Sequence, residues 1–143
     1  MIFRRRSQNI DILRKVPLFS KLNKKHLNQI AKHASETSIK KGELLARQGT
    51  KGSDFTFIVE GKAWVEKDGK IINYLSGGDF FGEISLIDGK PRAASVIAET
   101  DMTVLVVDAN SFDHLLDTIP GLQKNILVSL CSYLRKSGNS ENK

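Results

Sequence analysis

The residues best suited to chemistry lie in one stretch, Gly77-Gly78-Asp79-Phe80-Phe81-Gly82-Glu83-Ile84-Ser85-Leu86-Ile87-Asp88-Gly89-Lys90-Pro91-Arg92-Ala93-Ala94-Ser95-Val96. Gly82 permits a positive φ or a close approach of backbone to a ligand. Residues 83–86 fit one helical turn, whose first amide hydrogens have no partner within the helix and so favour an anion. Arg92 follows a turn at Asp88-Gly89-Lys90 and the rigid Pro91, which can bring its guanidinium back to the same spot to bind a phosphate through two parallel hydrogen bonds. Glu83 is the odd member. A carboxylate 4 Å from a phosphate is repelled by about 4 kcal/mol at an intermediate effective dielectric. A ribose hydroxyl would give Glu83 a donor instead, and phosphate plus sugar implies a nucleotide. The plainer alternative is a Glu83–Arg92 salt bridge that does no more than close a loop.

Little else in the chain competes for a chemical role. His26, His33 and His114 fall in different segments, with no Glu, Cys or Ser grouping around them, so neither a metal site nor a catalytic triad is expected. Cys131 stands alone, which excludes a disulfide framework, and its place near an apolar stripe predicts a small core residue. Trp64 alternates with Ala63 and Val65 and reads as a packing residue. With no nucleophile or metal cluster near Arg92, binding without catalysis is expected, with no cofactor.

The elements that must position the cassette follow from hydrophobic periodicity. Near the start, Ile10, Leu13 and Val16 precede a break at Pro17, and Asn23 then caps a helix whose buried face is Leu27, Ile30, Ala31 and Ala34. From Glu36 the period changes to that of short strands punctuated by glycines, with Asp68-Gly69 as a tight hairpin turn. Strands are expected at Leu44-Leu45, Phe55-Thr56-Phe57-Ile58-Val59, Ala63-Trp64-Val65-Glu66 and Ile71-Ile72-Asn73-Tyr74-Leu75, with two more at 95–99 and 103–108. Helical spacing returns at Phe112, Leu115 and Leu116, breaks at Pro120 and resumes through Leu122, Ile126, Leu127, Leu130 and Leu134 to about Lys136. The expected fold is α+β, an eight-stranded β-roll flanked by helices: a single domain with N-terminal helices over 1–35, the roll over 36–109 with a cassette at 80–96, C-terminal helices over 110–137, and a polar tail at 138–143.

The chain has 143 residues, 40% of them hydrophobic and 27% charged, with a formal charge of +6. That charge is local: the first 25 residues carry eight basic side chains against Asp11 alone, and the rest is nearly balanced. A short basic end is ordinarily just solvated, which argues against a nucleic-acid partner. Apolar runs of five residues or fewer exclude a helical membrane span, and the N-terminus lacks the apolar centre of a signal peptide. A cytoplasmic setting is expected.

Phe81-Gly82-Glu83-Ile84-Ser85-Leu86, followed after five residues by Arg92-Ala93-Ala94-Ser95-Val96, resembles the phosphate-binding cassette of cyclic-nucleotide-binding domains. These domains serve as sensors in cyclic-AMP-dependent protein kinase regulatory subunits, catabolite activator proteins and nucleotide-gated channels. The resemblance runs from Val16-Pro17-Leu18-Phe19 through Lys41-Gly42-Glu43, Gln48-Gly49, Val59-Glu60-Gly61 and Gly78-Asp79 to Phe112 and Pro120. It implies that Gly82 and Ala93 offer backbone amides to the cyclic phosphate, that Ile84, Ser85 and Ala94 line the cradle, that Arg92 pairs with the exocyclic oxygens and that Glu83 takes the ribose 2′-hydroxyl. Members that favour cyclic GMP often carry a Thr at the position of Ala93, so the resemblance leans toward cyclic AMP, with cyclic GMP as the other candidate. The base is expected over Val65 and under a side chain of the last helix, with Leu130, Tyr133 and Leu134 as candidates.

By this resemblance the chain is expected to be a stand-alone cyclic-nucleotide receptor that moves its C-terminal helices to signal to an unidentified effector protein. Two alternatives remain. The chain is the sensor fragment of a catabolite-activator-like transcription regulator, which would need a DNA-binding domain where only seven residues follow Lys136. Or it is a nucleotide-blind scaffold, a reading that loss of Arg92 or Glu83 would have favoured.

Overall fold

The computed structural model describes residues 6–15, 18–52, 54–82 and 89–141, without the side-chain surroundings of 6–9, 133 and 136–141. Two helices, α1 (Arg6–Lys15) and α2 (Lys24–Lys32), precede eight strands: β1 (Ser35–Ile39), β2 (Leu44–Ala46), β3 (Asp54–Glu60), β4 (Lys62–Lys67), β5 (Lys70–Ser76), β6 (Phe80–Phe81), β7 (Ser95–Ala98) and β8 (Met102–Asp108). Helices α3 (Ala109–Thr118) and α4 (Leu122–Glu141) follow.

Two of the helix starts are set by side-chain caps. Asn23 Oδ1 accepts the His26 amide at 2.8 Å and opens α2, and Asp108 Oδ1 accepts the Ser111 amide at 2.8 Å and opens α3. The hairpin between β4 and β5 turns at Asp68 (φ 53°) and Gly69 (φ 79°), the pair of positive angles that a two-residue hairpin loop uses.

The strands form two antiparallel sheets. Sheet 1 has the order β1-β8-β3-β6, and sheet 2 has the order β2-β7-β4-β5. Strand alternation lets sheet 1 serve two cores at once. Phe55 and Phe57 of β3, with Leu105 and Val107 of β8, face the helices and pack with Leu13, Leu27, Ile30, Phe112, Leu115 and Leu122. Their neighbours Ile58 and Val104 face the other way, into the roll, where they meet Ala63, Val96 and Ala98 of sheet 2. The α+β architecture with an eight-stranded roll and flanking helices is therefore the observed one.

Two expectations about the C-terminal region need correction. Helix α4 continues to Glu141 instead of ending near Lys136, so much of the expected polar tail is helical. Gly138 costs a helix only about 1 kcal/mol relative to Ala, and no proline follows to stop it. Cys131 is exposed, not a core residue: it lies on the solvent side of α4, away from Leu122 and Ile126. Among the described residues no helix is long and apolar enough to cross a membrane.

Candidate functional site

Arg92 is held in place by its backbone first. Its amide donates to the Thr50 carbonyl at 2.7 Å, and its own carbonyl accepts the Gly49 amide at 2.9 Å. One residue earlier, Pro91 forms an isolated bridge with Lys51. The loop between β2 and β3 thus grips the chain on both sides of the arginine. Gln48 extends that grip: its amide donates to Ser95 Oγ at 2.8 Å, while its side chain exchanges two hydrogen bonds with Asp68 at the β4–β5 hairpin, at 2.8 and 2.9 Å.

The side chain of Arg92 is only 9% exposed, and its guanidinium pairs through Nη2 with Asp54 Oδ1 at 3.1 Å. Asp54 opens β3, so the arginine is anchored to the central strand of the roll. Asp54 escaped the sequence reading, because an acidic residue just before an apolar strand carries no local sign of its partner 38 positions away.

Gly82 sits directly against the same residue. Its φ is +104°, and a Cβ built there would approach the Asp54 carbonyl oxygen at 2.5 Å. No side chain fits that space, so the chain entering the cassette lies flush on the start of β3. Arg92 and Gly82, ten positions apart in sequence, therefore meet at Asp54.

The other expected site residues divide into four groups. Ala93 is exposed and Ala94 partly buried, both in the bend between Arg92 and β7. Val65 points into the roll and packs against the core between the sheets. Leu130 packs against the helix-side core, whereas Leu134 is 66% exposed, so these two candidates for covering a base have different surroundings. Glu83, Ile84 and Ser85 lie outside the described residues, as does the side chain of Tyr133.

Sequence distance also concealed one contact between histidines. The rings of His33, at the C-cap of α2, and His114, in α3, approach to 5.5 Å between centroids. Among the described residues no group of three or more His, Cys, Asp or Glu is placed to hold a metal ion.

Comparison with known proteins gives this geometry a family. Residues 36–119 match the family described as "Cyclic nucleotide-binding domain". The chain is 35% identical over 115 residues to the cAMP-dependent protein kinase regulatory subunit of Debaryomyces hansenii, covering 80% of this chain and 25% of that protein. It is 34% identical over 119 residues to a cyclic nucleotide-gated potassium channel of Rhizobium etli, covering 83% of this chain and 33% of the channel. Among solved structures, the regulatory domain of Toxoplasma gondii PKA, co-crystallised with cAMP, superposes with a TM-score of 0.79 at 27% identity, covering 90% of this chain and 50% of that one. The chain thus spans a quarter to a third of these two curated relatives.

Proposed function

The chain belongs to the cyclic nucleotide-binding domain family, and from that premise we propose that it is a receptor domain for cyclic AMP that signals through movement of its C-terminal helices. The observation that carries this reading is the convergence of Arg92 and Gly82 on Asp54. A guanidinium has five N–H donors in a fixed fork, so an arginine held through Nη2 retains donors for the exocyclic oxygens of a cyclic phosphate. Its low exposure strengthens such a contact, because water screens it less. The backbone amides of Gly82 and Ala93 would complete the cradle, with Ile84, Ser85 and Ala94 lining it, and Glu83 would accept from the ribose 2′-hydroxyl.

The binding site calls for no reaction. A charged side chain and backbone amides can hold a diester without cleaving it, and the free energy gained goes into shifting a conformational equilibrium. Exposed Ala93 brings no hydroxyl to the ligand, which favours adenine over guanine by omission. The effector protein that receives the signal, and a cytoplasmic setting, belong to this same proposal.

Thermal unfolding with added nucleotide tests the reading. At a hundredfold excess over the dissociation constant, cyclic AMP should stabilise the fold by about 2.7 kcal/mol. For a domain of this size that is a rise in Tm of roughly 5 to 11 °C. An unchanged Tm across millimolar cyclic AMP and cyclic GMP would leave the family fold in place and remove the ligand assignment.

A further inference from the structure

Sheet 1 is packed on both faces, whereas the buried apolar clusters among the described residues lie on only one face of sheet 2. The register lines up one apolar side chain from each of its four strands: Leu44 opposite Ile97, Ile97 opposite Trp64, and Trp64 opposite Tyr74. Alternation sets this row on the side away from Ala63, Val65, Val96 and Ala98, which pack into the roll. Leu44 is 42% exposed and Tyr74 62%, with Ile97 and Trp64 half-buried between them. A register shift makes Ile72 an extra residue beside Ile71 opposite Glu66, and the two are 53% and 48% exposed. Single exposed apolar side chains are ordinary, but a contiguous row four strands wide marks a contact surface.

The charge pattern on this face selects its occupant. Lys62 and Glu66 flank Trp64 on β4, each about 7 Å away along the strand, and Glu66 accepts the Trp64 indole hydrogen through Oε1 at 2.8 Å, which leaves its second oxygen for a cation. Consider two copies facing each other, related by a two-fold axis that runs along the apolar row. The row then meets itself, and the second copy's β4 runs antiparallel to the first. Lys62 of each copy comes over Glu66 of the other, so the face is complementary to itself. The same rotation carries the Ile71-Ile72 bulge toward a hollow of about 350 Å³ beside the other copy's Tyr74, bounded by Lys62, Leu75, Ser76 and Glu99. It does so because Ser76 stands opposite Lys62 while Ile71 stands opposite Glu66.

We propose that the outer face of sheet 2 is a self-association surface whose partner is a second copy of this chain. At ordinary strand spacings the face covers roughly 300 to 400 Å². That is below the roughly 800 Å² per partner of a tight complex, so the dimer is weak and reversible, with a dissociation constant of about 10 μM to 1 mM. The proposal is independent of the nucleotide reading.

Sedimentation equilibrium of the full chain between about 10 μM and 1 mM tests it. A reversible dimer is expected, and Lys62→Glu should weaken it about tenfold by placing two like-charge pairs across the interface. Combining Lys62→Glu with Glu66→Lys should restore the dimer to within about threefold, because both pairs are remade in reverse. Leu127→Lys, on the exposed side of α4, should leave association unchanged. A chain that is monomeric over the whole range overturns the proposal. So does a double reversal that fails to restore the dimer, or a dimer dispersed by Leu127→Lys.

Discussion

Arg92 owes its position to a backbone clamp and a carboxylate, and these respond differently to substitution. Asp54→Ala removes the anchor while leaving the Thr50 and Gly49 contacts, so the arginine stays near the site with more freedom. Cyclic AMP affinity should fall by tenfold or less, short of the roughly 1.5 to 3 kcal/mol of losing a hydrogen bond to a charged group, because the arginine is loosened and not removed. Titration calorimetry would measure it, and a loss as large as that of Arg92→Ala would mean that Asp54 itself touches the ligand. Gly82→Ala should lower stability by about 1 to 3 kcal/mol in urea unfolding, because the added methyl meets the Asp54 carbonyl at a φ of +104°. Full stability for that variant would contradict the packing described. The positive φ of Gly82 was legible in the sequence, whereas its contact with β3 depends on tertiary structure. Selectivity is a smaller effect. Ala93→Thr adds one neutral hydrogen bond worth about 0.5 to 1.5 kcal/mol, so cyclic GMP binding should improve by at most about tenfold.

At the scale of elements, the start of α3 carries a charged cap. The carboxyl of Asp108 is held below the ordinary value of 3.8, first by the Ser111 amide it caps, with further help from His33 at the end of α2. A lowered value means that the charged form stabilises the fold. That contribution is complete above the ordinary value and is lost as pH falls through the lowered one. The wild type should therefore lose more Tm than Asp108→Asn as pH falls below 3.8, since Asn caps without titrating. Parallel pH profiles would contradict this. Periodicity made these elements legible, including the Asn23 cap and the Asp68-Gly69 turn. The end of α4 was not legible, because Gly and Ser only weaken a helix where a proline would stop it. The exposure of Cys131 was missed for a related reason: Leu122, Ile126 and Leu130 face the core, but three residues at this spacing fix a stripe too narrow to place its neighbours.

For the molecule as a whole, the question is how a ligand at Arg92 would reach the C-terminal helices. Phe55, next to Asp54, stacks on Phe80 at 5.5 Å and on Phe112 of α3 at 5.2 Å, so one aromatic cluster joins the cassette entrance, β3 and the helical layer. Leu122 and Ile126 are buried with that cluster, which makes α4 part of the same packed body at its start and an exposed helix toward its end. Ending the chain at Leu130 keeps those anchors and removes Tyr133 and Leu134. If one of these covers the base, cyclic AMP affinity should fall about tenfold to a hundredfold, the worth of burying one such side chain. Unchanged affinity would assign the base contact to Leu130. Hydrogen exchange should show ligand slowing both residues 81–96 and α4, and protection confined to the cassette would separate binding from helix movement.

Calorimetry of cyclic AMP binding to the full chain and to Arg92→Ala tests the central claim most directly. The intact chain should give a saturable isotherm with one site, and the variant should bind about tenfold to somewhat over a hundredfold more weakly, the worth of one charge-assisted contact. An intact chain that binds no cyclic nucleotide, or a variant that binds as well as the wild type, would contradict the assignment of Arg92 as the phosphate-binding residue.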